Sequence, residues 1–316
     1  MMIDVLRARR RIAPYVRRTP LIRSSWLSDI SGGEVFLKAE SLQRSSSFKF
    51  RGAFNAVIAR LERGGGPPAR LVTASAGNHG RALAAAARTF NLPVVVFTPA
   101  DAPLSKLDAI RRDGADLRPD GRDYDEAERM AKTFAAQTGA EFISPYSDAD
   151  VIAGAATVAL EMFEDDPALD TLVVPIGGGG LISGAAMVAK AINPAGEVVG
   201  VEVEASNAFQ QSVRAGKLIT ITPGDTLADG LGGNPDPETI TFAHIQQLVD
   251  RIVTVSEADL AAAIVGLVDA EHLIAEGAGA AATAAIAGTR IDVRGRRVGV
   301  IVSGANIDRA RLARLL

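Results

Sequence analysis

The segment SSSFKFRGAFNAV, residues 45–57, sets one lysine, Lys49, between two phenylalanines and behind three serines. A lysine amine with a lowered pKa is a nucleophile or a general base, whereas a solvated surface lysine is neither. From Phe48 onward the run FKFRGAFNAVIARL predicts a helix, with Phe50, Phe54, Val57, Ile58 and Leu61 at spacings of three and four. Lys49 then falls in the first turn, where the helix dipole disfavours a cation and favours an anion. Flanking rings and dipole together point to a depressed pKa or a held anion. The ordinary alternative, a solvated amine beside a core-facing apolar stripe, stays open on this segment alone.

Three other segments carry chemistry. In VVPIGGGGLISG, residues 173–184, a hydrophobic strand runs into Gly177, Gly178, Gly179 and Gly180, and a helix opens at Leu181. Backbone amides freed of side chains can converge on one anion beside a helix N-terminus, and phosphate is the natural guest. A dinucleotide fingerprint fails because Ile182 and Ser183 stand where a glycine is required, and no Walker lysine follows. In TASAGNHGRALA, residues 73–84, the turn amides suit a carboxylate and Asn78 offers both a donor and an acceptor. Helix capping by Ser75 or Asn78 is an equal alternative there. In VGVIVSGANID, residues 298–308, a strand delivers Ser303 to its carboxyl end, which by itself reads as a turn. Lysine, phosphate cradle, asparagine loop and strand-end serine together make the kit of a pyridoxal phosphate enzyme. In that kit the lysine forms the Schiff base, the glycines take the phosphate, asparagine meets the ring hydroxyl and serine meets the ring nitrogen.

These segments need a scaffold, and the chain has enough material for one. Its 316 residues are 47% hydrophobic and 22% charged, with a net charge of -3 and no cysteine. That excludes disulfides, thiolate zinc sites and cysteine nucleophiles, and it offers no basic footprint for nucleic acid. The arginine-rich start reads as an amphipathic helix, with a weak RNA-binding reading of that start as its alternative. His79, His244 and His272 are too scattered for a histidine metal site. No signal peptide or membrane-length apolar run is present, so a cytoplasmic protein without membrane partners is expected. Strands are expected at 71–75, 94–98, 142–144, 172–176, 198–203, 252–255 and 297–302. Helices are expected at 81–90, 104–112, 123–138, 153–163, 181–191, 257–272 and 279–287. This alternation predicts an α/β protein of two lobes, each an open, mostly parallel sheet flanked by helices, with a ligand cleft between them.

In order along the chain, TPL (residues 19–21), LKAESLQRSSSFKFRGA, TASAGNHG, VIAGAATVALE, GGGGLISG, ADGLGG and IVSGANID resemble the fold-type II pyridoxal phosphate family. The branch they are most similar to is the threonine/serine dehydratases, or ammonia-lyases, with serine racemase as a relative. The resemblance covers nearly the whole chain. It implies a tryptophan synthase β-like fold, with a large cofactor domain of residues 1–52 and 148–316 and a small substrate-loop domain of residues 53–147. It implies Lys49 as the catalytic Schiff-base lysine, with Phe48, Asn78, Gly177, Gly178, Gly179, Gly180, Leu181 and Ser303 around the cofactor. Ser75, Ala76, Gly77, Asn78 and His79 would form the loop that receives the substrate carboxylate, mostly through backbone N–H groups.

The activity implied is β-elimination from L-threonine or L-serine to a 2-oxo acid and ammonia, by a homodimer or homotetramer. The neutral Ser303 hydroxyl, where an aspartate would enforce a protonated ring, fits elimination. Serine racemase, 3-hydroxyaspartate dehydratase, a β-replacing synthase and a noncatalytic phosphate-ligand binder are the alternatives. The chain departs from the family pattern at Ala155, Gly277 and Ala305, where glutamine, proline and glycine are usual. Because the last motif lies close to Leu316, no C-terminal regulatory domain or feedback inhibition through one is expected. Relatives that hold a divalent ion do so with a glutamate and an aspartate six residues later; here Glu202 is followed by Ala208, so no tight metal site is expected unless Glu204 substitutes. In serine racemases a serine two residues before the ring-hydroxyl asparagine donates a proton, and here that position is Ala76. Dehydration without racemisation is therefore expected.

Overall fold

A computed structural model describes residues 2–64 and 66–316. Among the described residues, ten strands form two sheets. The larger has the order β1 (Leu21–Ser24), β2 (Glu34–Ala39), β10 (Arg297–Val302), β7 (Thr171–Pro175), β8 (Glu197–Val203) and β9 (Arg251–Val255). Only β1 runs antiparallel to its neighbour; every other pairing is parallel. The smaller is wholly parallel, in the order β5 (Asp116–Gly121), β4 (Val94–Pro99), β3 (Leu71–Ala74) and β6 (Glu141–Phe142).

The strand sequences explain the layering. Strands β7, β8 and β10 are apolar almost throughout, as strands covered on both faces must be. One face of the large sheet packs on α2 (Ser25–Ser31), α11 (Glu257–Glu271) and α12 (Gly277–Ala287). The other packs on α1 (Met2–Ile12), α7 (Ala149–Asp165), α8 (Gly180–Ile192), α9 (Ala208–Ala215) and α10 (Thr241–Leu248). On the small sheet, Val94 and Val96 face α3 (Lys49–Glu62), α4 (Asn78–Thr89) and α5 (Leu104–Arg112). Val95 and Phe97 face α6 (Tyr124–Thr138), the alternation that a pleated strand imposes. The last helix, α13 (Arg309–Leu315), lies against the α11 side of the large sheet. No helix among the described residues is long and apolar enough to cross a membrane.

Helix α3 links the two sheets, and its position is fixed by close backbone approach to α7. A Cβ on Gly154 would stand 2.5 Å from the Arg51 carbonyl oxygen, and one on Gly52 would stand 2.8 Å from that of Val151. Only glycine permits both. Charge reinforces the seam: Arg51, fully buried, donates to Glu40 at 2.8 Å and to Glu161 at 2.7 Å, and Lys38 donates to Glu161 at 2.7 Å. Such a cluster tolerates burial only with every member paired.

The expected elements are present, with shifted ends and some additions. Helix α4 starts at Asn78, three residues before the expected start, and α7 starts at Ala149 rather than 153. Strand β5 was not expected, because DLRPDG lacks an apolar run; its Pro119 is tolerated at a sheet edge, where an N–H is dispensable. The short β1 and β2 and helices α2, α9, α10 and α13 were also absent from the sequence reading.

Candidate active site

A cleft of about 1150 Å³ opens between the sheets, lined by Lys49, the segment 75–79, Gly177, Gly178 and Glu276 among others. Lys49 is the first residue of α3. Its Nζ donates to the Pro145 carbonyl at 2.8 Å and lies 5.2 Å from the Phe48 ring centroid. The preceding Ser45 and Ser46 both hold φ of 56°, a left-handed conformation costly for residues with a Cβ, so the turn presenting the lysine is forced by its surroundings. Burial pushes the Lys49 amine down to about 8, opposed by the negative Glu276. The lowered pKa matches the expectation from the sequence, but desolvation, rather than the dipole and the rings, is its main cause.

The glycine loop joins β7 to α8. Gly179 needs its positive φ of 85°, and a Cβ on Gly178 would stand 2.1 Å from Cγ of Tyr146. Thr241 Oγ1 braces the loop by donating to the Gly178 carbonyl at 2.9 Å. The Ser183 N–H bonds the Gly179 carbonyl at 3.0 Å, so the amides ahead of it, from Gly177 through Leu181, precede the helical ladder and are available to an anion. Gly177 and Gly178 line the cleft, while Gly179, Gly180 and Leu181 are buried behind them.

Across the cleft, Gly77 occupies the N-cap of α4 without a side-chain cap. The capping alternative for Ser75 and Asn78 is thus not realised. The Ser75 hydroxyl instead accepts from the Gly77 N–H at 3.2 Å, and Ala76 and Gly77 are half-buried on the cleft wall. Asn78 Nδ2 donates to Glu276 Oε1 at 2.5 Å, and its Oδ1 accepts from Asn306 Nδ2 at 2.5 Å. His79 is 2% exposed, neither ring nitrogen makes a hydrogen bond, and burial beside the Lys49 charge pushes it down to about 3, so the ring is neutral. Ser303, at the end of β10, is 4% exposed and donates to the Ala278 carbonyl at 3.3 Å.

Glu276 is the member that sequence reading missed. It occupies the N-cap of α12 without a side-chain cap, is 5% exposed, and burial pushes its carboxyl up to about 7 against the hydrogen bond from Asn78. The available signal was a lone carboxylate heading GAGAAATAAIA, a helix of small, buried residues, which draws that carboxylate inside with it. Glu202, considered above for a metal, has its two carboxylate oxygens occupied by the N–H groups of Phe209 (2.9 Å) and Gln210 (2.7 Å) at the start of α9.

The residues present suit pyridoxal phosphate. The loop at Gly177 and Gly178 has a bare backbone, since a Cβ at Gly178 would strike the Tyr146 ring and one at Gly177 would crowd the Gly230 carbonyl; it opens on a helix N-terminus, and a desolvated lysine amine shares its cleft.

Comparison with known proteins agrees with this geometry. An L-threonine ammonia-lyase of Thermotoga maritima is 40% identical over 99% of this chain and 77% of its own length. An L-threo-3-hydroxyaspartate ammonia-lyase of Saccharomyces cerevisiae is 38% identical over 99% of this chain and 95% of its own. The structure of maize serine racemase matches with a TM-score of 0.90 at 34% identity, covering 99% of this chain and 95% of that one. Residues 12–304 match the family described as pyridoxal-phosphate dependent enzymes, and the chain belongs to that family.

Proposed function

We propose that the protein is an ammonia-lyase that converts a β-hydroxy amino acid, L-threonine or L-serine among them, to a 2-oxo acid and ammonia. The observation that carries the reading is a desolvated Lys49 amine in one cleft with the glycine loop and the amide-rich segment 75–79. Lys49 holds the cofactor, the amides from Gly177 to Leu181 take its phosphate, Asn78 meets its ring hydroxyl, and Ser303 its ring nitrogen, with Phe48 alongside. The N–H groups of residues 75–79 take the substrate carboxylate. The bound cofactor supplies an electron sink conjugated to the substrate nitrogen.

Lys49 does the proton work. With its pKa near 8, a substantial fraction of the amine is neutral at mildly alkaline pH and can accept the Cα proton. The Cβ–O bond then breaks, the proton taken from Cα passing on balance to the departing hydroxyl so that it leaves as water, and the released enamine takes up one water to give 2-oxo acid and ammonia. Neutral His79 adds no competing charge beside the amine. Two separate sheets support a division into a large unit, residues 1–52 with 148–316, and a small one, residues 53–147.

The test is to incubate the cofactor-loaded protein with L-threonine and L-serine and measure 2-oxo acid and ammonia. Stoichiometric release of both is expected, and release of neither from any β-hydroxy amino acid would sink the reading.

A further inference from the structure

The Asn78 amide has two ends, and which of them faces the ring oxygen of the cofactor has chemical weight. A carbonyl there only accepts, so the ring oxygen must keep its proton. An N–H only donates, so the ring oxygen is free to give its proton up. The hydrogen bonds around Asn78 decide between the two.

Asn306 makes the decision. Its Oδ1 accepts from Arg81 Nη1, and its Nδ2 donates to the Ser45 carbonyl at 2.8 Å and to Asn78 Oδ1 at 2.5 Å. A guanidinium carries donors only and a backbone carbonyl accepts only, so neither Arg81 nor Ser45 can adapt to a reversed partner. Turning the Asn306 amide over would set N–H against N–H at Arg81 and oxygen against oxygen at Ser45, two unmet groups where there were two bonds. Asn306 therefore has one orientation, both of its Nδ2 hydrogens are spent, and Asn78 must meet it with Oδ1. The Nδ2 end of Asn78 is left, with one hydrogen bonded to Glu276 Oε1 at 2.5 Å and the other unspent. Glu276 does not fix this arrangement by itself. Burial raises its carboxyl to about 7, and a protonated carboxyl offers an oxygen or an O–H to whichever end of the amide it meets.

We propose that Asn306, oriented by Arg81 and the Ser45 carbonyl, is a positioning residue that locks the Asn78 amide with an N–H toward the cofactor's ring oxygen, so that the lysine-linked cofactor keeps that oxygen deprotonated. The inference rests on the placement of Asn78 at the ring hydroxyl given above. The proton passes from the ring oxygen to the nitrogen that joins Lys49 to the cofactor, and no atom or electron is gained or lost. Positive charge on that nitrogen draws electrons from the carbon attached to it, which readies that carbon for the amine of the incoming amino acid. Arg81 and Asn306 make and break no covalent bond.

The test is spectroscopic and needs no substrate. The cofactor-loaded wild type, Asn306→Ala, Arg81→Met and Arg81→Gln are compared at about pH 6, where the Glu276 carboxyl is mostly protonated. The readout is the ratio of two absorbance bands. The band near the edge of the visible belongs to the form with the proton on the lysine nitrogen, and the ultraviolet band to the form with it on the ring oxygen. The first should dominate in the wild type. Asn306→Ala leaves every charge in place but frees Asn78 to turn, and should lower the ratio about tenfold, the worth of one such hydrogen bond. Arg81→Gln restores a donor without the charge and should fall between the wild type and Arg81→Met; this pair still reports if Asn306→Ala does not fold. An unchanged ratio in Asn306→Ala, or equal ratios in Arg81→Gln and Arg81→Met, would mean that the Arg81 charge and not the amide orientation places the proton, and would overturn the proposal. So would a wild type dominated by the ultraviolet band. Bands that behave as expected in a protein that releases 2-oxo acid from no β-hydroxy amino acid would support the lock while removing the elimination reading.

Discussion

The Phe48 N–H donates to the Ser303 carbonyl at 3.1 Å, fastening the residue before Lys49 to the end of the central strand β10. The contact belongs to a short zipper. Ser47 bridges Gly304, the Ala305 N–H donates to the Ser46 carbonyl at 2.9 Å, and Asn306 Nδ2 donates to the Ser45 carbonyl at 2.8 Å. Backbone groups therefore hold the lysine and the serine in register, and the strained φ of Ser45 and Ser46 is sustained by the same contacts. Side chains at this junction can change chemistry without moving the frame.

That frame makes Lys49→Ala a clean test. The amine leaves, but α3 keeps its seat through the Gly52 and Gly154 contacts and the buried Arg51 cluster. Turnover should fall by about 10³-fold or more and the absorbance of the lysine-linked cofactor should vanish, with circular dichroism unchanged. Appreciable 2-oxo acid release from the variant would remove Lys49 from its role.

Gly178→Ala tests the cradle. The new methyl would overlap the Tyr146 ring, so the loop or the ring must shift, at a cost of about 1–3 kcal/mol. If the loop moves, cofactor Kd rises roughly ten- to hundredfold. Titration of the cofactor-free protein measures it. Adding Tyr146→Ala should restore room and recover part of the affinity; unchanged affinity in Gly178→Ala together with an unmoved Tyr146 ring would place the phosphate elsewhere.

What the sequence made legible follows from how far apart the interacting groups lie. Lys49, the glycine loop, segment 75–79 and Ser303 each sit at a strand or turn that meets a helix or a strand end, so local patterning singles them out as candidates. Glu276 reaches Asn78 across 198 positions, and no periodicity encodes that meeting. The same holds for Arg81 and Asn306, 225 positions apart. Among the elements, apolar β7 and β10 were readable, whereas β1 has only four residues and β5 carries a proline on an edge. The cause of the Lys49 pKa was also tertiary: burial comes from packing the two sheets together.

The carboxyl of Glu276 should make stability depend on pH in the cofactor-free protein. Its folded pKa is raised to about 7 from the ordinary 4.5, so between those values the folded protein holds a proton that the unfolded chain has released. That contribution is complete below pH 4.5 and is lost as pH rises through 7, a difference on the order of 3 kcal/mol. Glu276→Gln keeps an acceptor for Asn78 and removes the titration. Urea unfolding at pH 5 and pH 8 should show the wild type losing stability relative to the variant at the higher pH. Parallel behaviour of the two proteins would show that Glu276 does not titrate in that window.

Reaction outcome at Cα turns on Ala76. Racemisation requires a proton returned to Cα from the face opposite the base; in the proposed site Ala76 lines the cleft, and a methyl group cannot supply a proton. Ser75, the nearest hydroxyl in the chain, accepts the Gly77 N–H at 3.2 Å, which ties its oxygen back to its own loop. L-serine should therefore give pyruvate and ammonia with little D-serine, despite the 34% identity with maize serine racemase. Ala76→Ser would place a hydroxyl on the cleft wall, and a positioned acid is worth about 10²-fold or more in proton transfer. D-serine formation should rise by that order in the variant while pyruvate formation persists. Chiral chromatography after incubation with L-serine reads both products. D-serine accumulating as fast as pyruvate in the wild type would mean that another group donates the proton and that Ala76 does not set the outcome.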